Sequence, residues 1–296
     1  MSKTLRLVYP EWAAGNCPEY IWGARTLDFL APTTPDMIRR EVPVELYDGT
    51  DAPVEGGIFG RTICKNGVLA AKAIIAEEAP DRIITLGGNC LISQPSMDYL
   101  SGKYGEKFGL IWMDSHPDIS TMEFLNAAVD GDVNIESAMV CGNLMGEGDP
   151  DFNKEVEHKI DPKRVMYAGL RREVLLPQEL EIVERNGIRI AGPDELKANG
   201  GKAILKWIED NGIEYVGIHC DLDVTDPAFF RAQLPGKPEG LDFETVTGVM
   251  QFADMARAIQ DIQQKAECVG MTFSEHTPWD VINLHNFMAS LPIFNK

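Results

Sequence analysis

The sequence predicts an α/β protein whose central sheet is mainly parallel. Short apolar runs alternate along the chain with segments of helical periodicity, and this spacing requires repeated crossovers that cover both faces of a sheet. Four of the apolar runs end in polar residues, as expected at the carboxyl edge of such a sheet. No linker, low-complexity segment or internal repeat divides the chain, so residues 1–296 are interpreted as a single domain.

The individual elements follow from apolar periodicity and from the positions of glycine and proline. The predicted strands are 5–9, 82–86, 108–113, 165–168, 188–190, 215–218 and 267–273. The predicted helices are 61–79, 93–104, 137–145, 177–186, 201–211 and a long one that begins at Asp242 or Thr245 and reaches about residue 264. The stretch from 10 to about 60 is rich in proline and glycine, which predicts long loops with short elements between them, suited to the wall of a pocket. Its aromatic residues, Tyr20 among them, are interpreted as packing residues.

Composition and charge exclude several classes of partner. The apolar fraction of 44% supports a large core, and no segment approaches membrane-spanning length. The formal charge of −19 would repel nucleic acid and an anionic membrane surface, so neither is an expected partner. The same charge mildly favours a cationic small-molecule substrate.

The cysteines and the start of the sequence predict the compartment. Six cysteines are scattered without paired spacing, which favours reduced and mostly buried thiols. The first residues lack the apolar core of a signal peptide. A cytoplasmic protein is therefore expected.

The strand at 108–113 leads into Asp114, His116 and Asp118. In an extended segment, residues i, i+2 and i+4 point to one side, so these three side chains are predicted to face one point. Carboxylate oxygens and an imidazole suit a divalent ion such as Mn²⁺, Ni²⁺ or Zn²⁺. The alternative is that the carboxylates merely cap a following helix. The convergence of four polar strand ends on one edge argues against that alternative.

A second acidic pair, Asp221 and Asp223, follows the strand at 215–218. With the first motif it gives four carboxylates and one imidazole, a density of negative charge that requires cations to neutralise it. We therefore expect two ions rather than one. Ions about 3.5–4 Å apart would share bridging carboxylates and a bridging water, which they would acidify to a hydroxide nucleophile.

The motifs occur in the order Gly-Gly-x-x, Asp-x-His-x-Asp, Asp-x-Asp-x-x-Asp-Pro and a late glutamate, between about residues 82 and 280. This order resembles the arginase and agmatinase superfamily, the ureohydrolases. The resemblance implies a three-layer α/β/α sandwich and a binuclear, usually manganese, site that hydrolyses guanidino or amidino groups. It makes Mn²⁺ the expected cofactor, with Ni²⁺, Co²⁺ and Zn²⁺ as alternatives, and a homo-oligomer is expected.

The resemblance also implies roles for individual residues. Asp114 and Asp221 correspond to the bridging carboxylates. Asp118 corresponds to a ligand of one ion, and His116 and Asp223 correspond to ligands of the other. Glu275 matches the residue that pairs with the guanidinium group of the substrate.

The first departure from the superfamily pattern lies after the Gly-Gly pair. Asn89 and Cys90 stand where the superfamily usually has Asp-His, with the histidine as a ligand of the first ion. A thiolate can bind a divalent ion, but it is a softer ligand that should weaken binding of Mn²⁺. The alternatives are that Cys90 is a ligand, or that it is an unligated thiol beside a single ion. A cysteine here resembles the hydroxyarginine-cleaving branch of the superfamily from D-cycloserine biosynthesis, so Nω-hydroxyarginine is a candidate substrate.

Further departures concern proton transfer and the substrate. Glu136 or Ser137 stands near the position of the proton-shuttling histidine of arginases, and either is a candidate catalytic residue. Arg172 stands where arginases have acidic residues that hold the α-amino group, which argues against plain arginine and favours a substrate with a carboxylate. His219 and Cys220 are interpreted as packing residues.

These observations lead to one principal hypothesis and two alternatives. The principal hypothesis is a metal-dependent amidinohydrolase in which Glu275 holds the cationic substrate. Agmatinase-like or formimidoylglutamase-like hydrolysis is an alternative within the same chemistry. A catalytically silent relative that only binds a ligand is the alternative from another class, favoured by Cys90 and by the missing shuttle histidine.

Overall fold

The computed structural model describes residues 2–124, 134–238, 246–291 and 293. Its strands are β1 (Thr4–Tyr9), β2 (Met37–Glu41), β3 (Val54–Glu55), β4 (Ile58–Phe59), β5 (Arg82–Gly87), β6 (Phe108–Met113), β7 (Val165–Ala168), β8 (Arg189–Ala191), β9 (Tyr215–Asp221) and β10 (Glu267–Ser274). Its α-helices are α1 (Glu19–Leu30), α2 (Arg61–Glu78), α3 (Ser93–Tyr104), α4 (Val140–Met145), α5 (Pro150–Asn153), α6 (Pro177–Asn186), α7 (Pro193–Asn199), α8 (Lys202–Asn211), α9 (Phe252–Ile262) and α10 (Trp279–Ser290).

Eight strands form one sheet in the order β2-β1-β5-β10-β9-β6-β7-β8. Every neighbouring pair in this sheet is parallel. The short strands β3 and β4 form a separate antiparallel pair. The predicted α/β fold with a mainly parallel sheet is therefore confirmed.

The two faces of the sheet carry separate apolar cores, which makes the fold a three-layer α/β/α sandwich. Along β6, Leu110 and Trp112 belong to one core, while Ile111 and Met113 belong to the other. All four side chains are wholly buried. A strand covered on both faces reads as a continuous apolar run, which is why the sequence of β6 does not alternate.

Four neighbouring strands, β5, β10, β9 and β6, bring their carboxyl ends to one part of the sheet edge. In the pairing register Ser274 lies opposite Asp221, and Met113 lies opposite Cys220. The residues that follow these strands therefore lie side by side at the carboxyl edge of the sheet. The predicted convergence of four polar strand ends is the geometry that positions the site.

The stretch before residue 60 contains more regular structure than its composition predicts. Helix α1 lies between Pro18 and Pro32, so these prolines bound an element rather than a loop. Strand β2 is an edge strand, and its Met-Ile-Arg-Arg-Glu sequence has little apolar periodicity because it pairs with β1 alone. The stretch thus contains elements between its loops, as predicted, and α1 is the longest of them at 12 residues.

Helix α9 begins at Phe252, later than predicted. The predicted starts, Asp242 and Thr245, lie outside the described residues, but residues 246–249 are not helical. The amide of Gly248 donates to the Asp223 carbonyl at 2.9 Å, and the amide of Met250 donates to the Val224 carbonyl at 3.0 Å. These bonds hold the segment along the turn after β9 and delay the start of the helix.

Helix α10 follows the last strand and contains no buried residue. Apolar side chains such as Leu284 and Phe287 are more than half exposed on it. Across the described ranges, no helix is both long and apolar enough to cross a bilayer.

Candidate metal centre and active-site cavity

The turn after β5 aims Cys90 at the other strand ends. A Cβ on Gly88 would lie 1.8 Å from the carbonyl oxygen of Glu11, so only glycine allows the chain to pass here. The Asn89 side chain caps the following turn by accepting from the Leu91 amide at 3.0 Å. The Cys90 thiol then donates to Oδ2 of Asp221 at 3.1 Å. Asn89 is thus a structural residue, and Cys90 belongs to the cluster.

The Asp-x-His-x-Asp motif is not extended, contrary to the prediction. Strand β6 ends at Met113, and the His116 amide donates back to Oδ1 of Asp114 at 2.7 Å, which turns the chain. Asp118 has a φ of 46°, in the left-handed region. The side chains converge because the backbone folds around Asp114, rather than because alternate residues share a face.

Asp221 directs a similar turn. Its Oδ1 accepts from the Asp223 amide at 2.8 Å, and a short 3-10 turn follows. Asp223 is thereby brought to His116, whose Nδ1 lies 3.0 Å from Oδ2 of Asp223. The Ser115 hydroxyl donates to Oδ1 of Asp223 at 2.8 Å and links the two motifs.

Among the described residues, three groups of side chains are spaced so that each could hold a metal ion, with the ligand atoms of each group within 4.8 Å of one another. These groups are Asp114 with His116 and Asp223; Cys90 with Asp114, Asp118 and His219; and Cys90 with Asp221 and Glu275. Asp114 occurs in two of them. Its Oδ1 lies 3.6 Å from Nδ1 of His116, and its Oδ2 lies 3.4 Å from Nε2 of His219. A carboxylate with one oxygen toward each group is suited to bridge two ions.

The electrostatics of the cluster favour bound cations. Burial and the neighbouring carboxylates raise the pKa of Asp118 and of Asp221, and burial with Asp223 and Asp114 nearby raises the pKa of Glu275 to about 8. Burial likewise raises the pKa of the Cys90 thiol, and the surrounding acids add to the shift. Divalent ions would reverse these shifts by stabilising the charged forms.

Asp114 differs from its neighbours. Burial disfavours its charge, but the nearby His116 and His219 rings outweigh burial and hold the pKa of Asp114 below its usual range. Oδ2 of Asp118, by contrast, is buried without a hydrogen-bond partner in the described part of the chain. An unpaired carboxylate oxygen at this depth is costly, and a metal ion would satisfy it. The donor set and this unpaired oxygen fit a divalent metal.

A cavity of about 260 Å³ opens onto the cluster. It is lined by Gly15, Cys17, Tyr20, Cys90, His116, Pro117, Asp118, Ile135, Ser137, Ala138, Glu179, Asp223, Leu234, Pro235, Lys237 and Glu275. Three of these residues precede residue 60, so the early stretch does contribute to a pocket wall as predicted. The cavity therefore brings Glu275 together with four of the metal candidates, Cys90, His116, Asp118 and Asp223.

Glu275 is held rigidly at the end of β10. Its φ of 59° lies in the left-handed region, and its amide donates to the Gly88 carbonyl at 2.7 Å. Tyr20 is buried beside it, and the Tyr20 hydroxyl hydrogen-bonds the carboxylate. Strained backbone at both Asp118 and Glu275 is typical of residues whose side chains must take one direction.

The two candidate proton-transfer residues separate in the structure. Ser137 lines the cavity. Glu136 is wholly buried, accepts from Nδ2 of Asn143 at 2.7 Å, and is not among the lining residues. The 3-10 helix over Glu136–Met139 turns the two side chains in different directions.

Arg172 does not contribute to the cavity. Its side chain is 54% exposed and pairs with Glu184, so it faces solvent. The inference that Arg172 repels an α-amino group was wrong, because the 3-10 turn over Arg172–Val174 carries it outward. Glu179 and Lys237 are the residues of opposite charge type that line the cavity beside the metal candidates and Glu275.

Sequence reasoning missed four residues of the site. Glu179 lies on α6 and Lys237 lies in a Pro/Gly-rich loop, and neither belongs to a recognisable motif. Tyr20 was interpreted as a packing residue, yet it also orients Glu275. His219 was interpreted in the same way, yet it borders Asp114. For His219 a signal existed, since it lies two residues before Asp221 and so shares its side of β9.

All six cysteines are free thiols, and all but Cys268 are buried. This confirms the prediction of unpaired and mostly buried cysteines. Cys90 is the one among them that belongs to the candidate metal groups of the described residues.

A parallel sheet with a buried cluster of carboxylates, imidazoles and a thiol at its carboxyl edge defines an α/β protein with a candidate metal centre. The model of the arginase family matches residues 25–278. The chain therefore belongs to the arginase family.

Individual relatives agree with this assignment. The chain is 27% identical over 144 residues to an arginase of Entamoeba histolytica, which covers 48% of this chain and 46% of that protein. It is 26% identical over 203 residues to an arginase of Saccharomyces cerevisiae, which covers 58% and 57%. The chain thus spans about half the length of these curated relatives. The crystal structure of E. histolytica arginase in complex with L-ornithine superposes with a TM-score of 0.72 at 18% identity, over 94% of this chain and 92% of that one.

Buried Glu136 gives a prediction about stability. Burial and the nearby Asp149 raise the pKa of Glu136 well above its usual value. The folded state therefore binds a proton that the unfolded state releases, and stability is lost as pH rises above the unfolded pKa. Glu136→Gln cannot ionise, so its melting temperature should exceed that of the unmodified protein by a few degrees at about pH 8 and by much less at about pH 5. Thermal denaturation at both pH values tests this.

The control for this prediction is Glu181→Gln, on the exposed face of α6. It should follow the pH dependence of the unmodified protein. If Glu136→Gln shows that same dependence, the buried carboxyl does not carry the effect.

Proposed function

We propose that this protein is a metal-dependent hydrolase that cleaves a C–N bond of a guanidino or amidino compound. The observation that carries the proposal is the position of Asp114, which is shared between two metal-capable groups beside a cavity that also contains Glu275. Membership of the arginase family supports the same chemistry. Asp114, His116, Asp118, Asp221 and Asp223 are the oxygen and imidazole ligands proposed for two ions, with Cys90 as a thiolate ligand.

The ions would supply an acidified water as nucleophile and positive charge opposite the developing oxyanion. The residues of the chain supply binding and orientation. Glu275 is proposed to pair with the cationic amidine and to hold its central carbon above the cluster. Tyr20 keeps the Glu275 carboxylate in position by its hydrogen bond. Ser137 lines the cavity and is proposed to hydrogen-bond the substrate.

The outer charges of the cavity indicate the class of substrate. Glu179 and Lys237 both line it, so both signs of charge are available beyond the amidine-binding end. An α-amino acid with a guanidino side chain carries an ammonium, a carboxylate and an amidine, and would use all three contacts. Because Arg172 faces solvent, plain arginine joins Nω-hydroxyarginine as a candidate. The cysteine at position 90 continues to favour the hydroxylated compound, through its resemblance to the hydroxyarginine-cleaving branch.

A substrate panel tests the proposal. Protein loaded in turn with Mn²⁺, Ni²⁺ or Co²⁺ is assayed for C–N hydrolysis of arginine, Nω-hydroxyarginine, agmatine and formimidoylglutamate. Agmatine lacks the carboxylate, so a role for Lys237 predicts slower cleavage of agmatine than of the amino acids. Metal binding without turnover of any compound would instead indicate a catalytically silent relative.

Cys90 gives a prediction about metal preference. If its thiolate is a ligand, Cys90→His should provide a harder donor and raise Mn²⁺ occupancy, while Cys90→Ala should lower it. Metal content after equilibration with limiting Mn²⁺, measured by mass spectrometry, tests this. Cys141→Ala is the matched control, because Cys141 is also buried but lies outside the metal-capable groups. Equal occupancy in all four proteins would show that Cys90 is not a ligand.

A further inference from the structure

His219 occupies a wholly buried position on β9, two residues before Asp221. Its ring stacks on Trp112 with centroids 3.6 Å apart and planes 14° from parallel. Its Nδ1 lies 2.7 Å from Oγ of Ser93. These contacts leave the ring one orientation, in which Nε2 points at the cluster.

The Nε2 atom of His219 has no hydrogen-bond partner within the described ranges. It lies 3.4 Å from Oδ2 of Asp114, which already accepts from the Trp112 indole at 3.1 Å. Oδ2 of Asp118 is the other buried and unpaired atom of the same candidate group. One of these atoms is a nitrogen and the other an oxygen, and neither has access to water. Leaving both unpaired costs folding free energy unless a bound group between them satisfies both.

We propose that His219 is an imidazole ligand of a metal ion, together with Cys90, Asp114 and Asp118. The four ligand atoms lie within 4.8 Å of one another. The Ser93 hydroxyl can accept the proton of Nδ1, which leaves the lone pair of Nε2 free for the ion. Hydrogen bonding of the second ring nitrogen is the usual arrangement for a histidine that binds a metal. Within this group the turn after β5 therefore provides the thiolate, and β9 provides the imidazole.

The proposed ligand set has a consequence for metal choice. One thiolate, one imidazole and two carboxylates form a mixed set that suits Zn²⁺ or Co²⁺ better than Mn²⁺. The group of Asp114, His116 and Asp223 has only oxygen and imidazole donors, which suits Mn²⁺. The centre would therefore hold two chemically different ions, with Asp114 between them.

The alternative role for His219 is to donate a hydrogen bond from Nε2–H to Asp114 without touching metal. His219→Gln separates the two roles, because a glutamine amide reaches a similar place and can donate but is a poor metal ligand. If His219 is a ligand, this variant should bind Co²⁺ at the thiolate site more than about 100-fold more weakly than the unmodified protein. Removal of a residue that only hydrogen-bonds a ligand weakens metal binding by about 10–100-fold, so a larger loss indicates direct ligation. His276→Asn is the matched control, as a buried histidine outside the metal-capable groups.

The first readout is optical and needs no substrate. Cobalt bound to Cys90 gives a thiolate-to-metal charge-transfer band, whose growth during a Co²⁺ titration reports the affinity of this site alone. The His276→Asn variant should titrate like the unmodified protein. A His219→Gln titration within about 100-fold of the unmodified protein would overturn the proposal, since loss of a residue that only hydrogen-bonds a ligand can account for a change of that size.

A second measurement uses the unmodified protein and so does not depend on a variant that folds. With cadmium bound and the histidines isotope-labelled, NMR detects a nitrogen–cadmium coupling for each ring that binds the ion. A coupling to a ring assigned as His219 supports the proposal, and its absence when the thiolate site is full contradicts it. The inference rests on the proposed metal-dependent function, but neither readout involves hydrolysis. If no compound of the substrate panel is hydrolysed, the measurement of metal binding by His219 still stands. If His219 does not bind metal, the hydrolysis assay still tests the proposed function.

Discussion

Replacement of Asp114 by asparagine is expected to prevent binding of both metal ions and to abolish hydrolysis. Asp114 is the residue common to the His116–Asp223 group and the group with Cys90 and Asp118. Asparagine removes the charge and one of the two ligand oxygens, so it cannot bridge. The affinity of both ions should fall by more than about 100-fold. Metal content by mass spectrometry, with a metal titration by calorimetry, checks this result.

Asp118→Asn is the matched control for that experiment. Asp118 is equally buried but belongs to only one of the groups. This variant should lose one ion and keep the one beside His116. If Asp114→Asn still binds two ions, or if both variants lose the same single ion, Asp114 does not bridge.

Glu275→Gln is expected to keep its metal and its fold but to lose hydrolysis of guanidino compounds by more than about tenfold. The expected loss follows from the roughly 1.5–3 kcal/mol of a charge-assisted contact to a cation. Glutamine has nearly the same shape and can still accept from Tyr20, so the position of the side chain should persist. Turnover, metal content and melting temperature, measured on the same preparation, separate substrate binding from metal binding.

The structure allows a competing result for this variant. Glu275 Oε1 lies 3.6 Å from the Cys90 thiol, and Glu275 forms a candidate metal group with Cys90 and Asp221. Loss of one ion in Glu275→Gln would make Glu275 a ligand and remove its proposed role in amidine binding. Glu181→Gln, on the surface of α6, serves as the control for a lost negative charge at a residue that does not line the cavity.

The sequence alone predicted the elements that determine the position of the site. Strand β6, strand β7 and helix α3 were predicted with their observed bounds, because long apolar runs and clear end signals define them. The convergence of the polar residues was also predictable. It follows from parallel pairing of neighbouring strands, which brings carboxyl ends to one edge whatever the details of each turn.

What could not be predicted depends on side-chain direction and on contacts between distant segments. The backbone folds around Asp114 because the His116 amide donates a hydrogen bond to the Asp114 side chain. The alternation of side chains along an extended strand does not predict such a turn. Arg172 and Glu136 were both expected to act at the active site. In the structure, the Arg172 side chain faces solvent and the Glu136 side chain lies in the core. The contacts of the His219 ring come from two other segments, because Ser93 begins α3 whereas Trp112 and Asp114 lie at the end of β6.

The most direct test of the central claim is a metal titration of hydrolysis. Protein stripped with a chelator is supplied with increasing amounts of divalent ion, and cleavage of the best substrate from the panel is followed. The proposed binuclear centre predicts no turnover in the stripped protein and recovery that saturates at roughly two ions per chain. Hydrolysis that persists unchanged in the stripped protein would contradict the claim that this cluster carries the reaction.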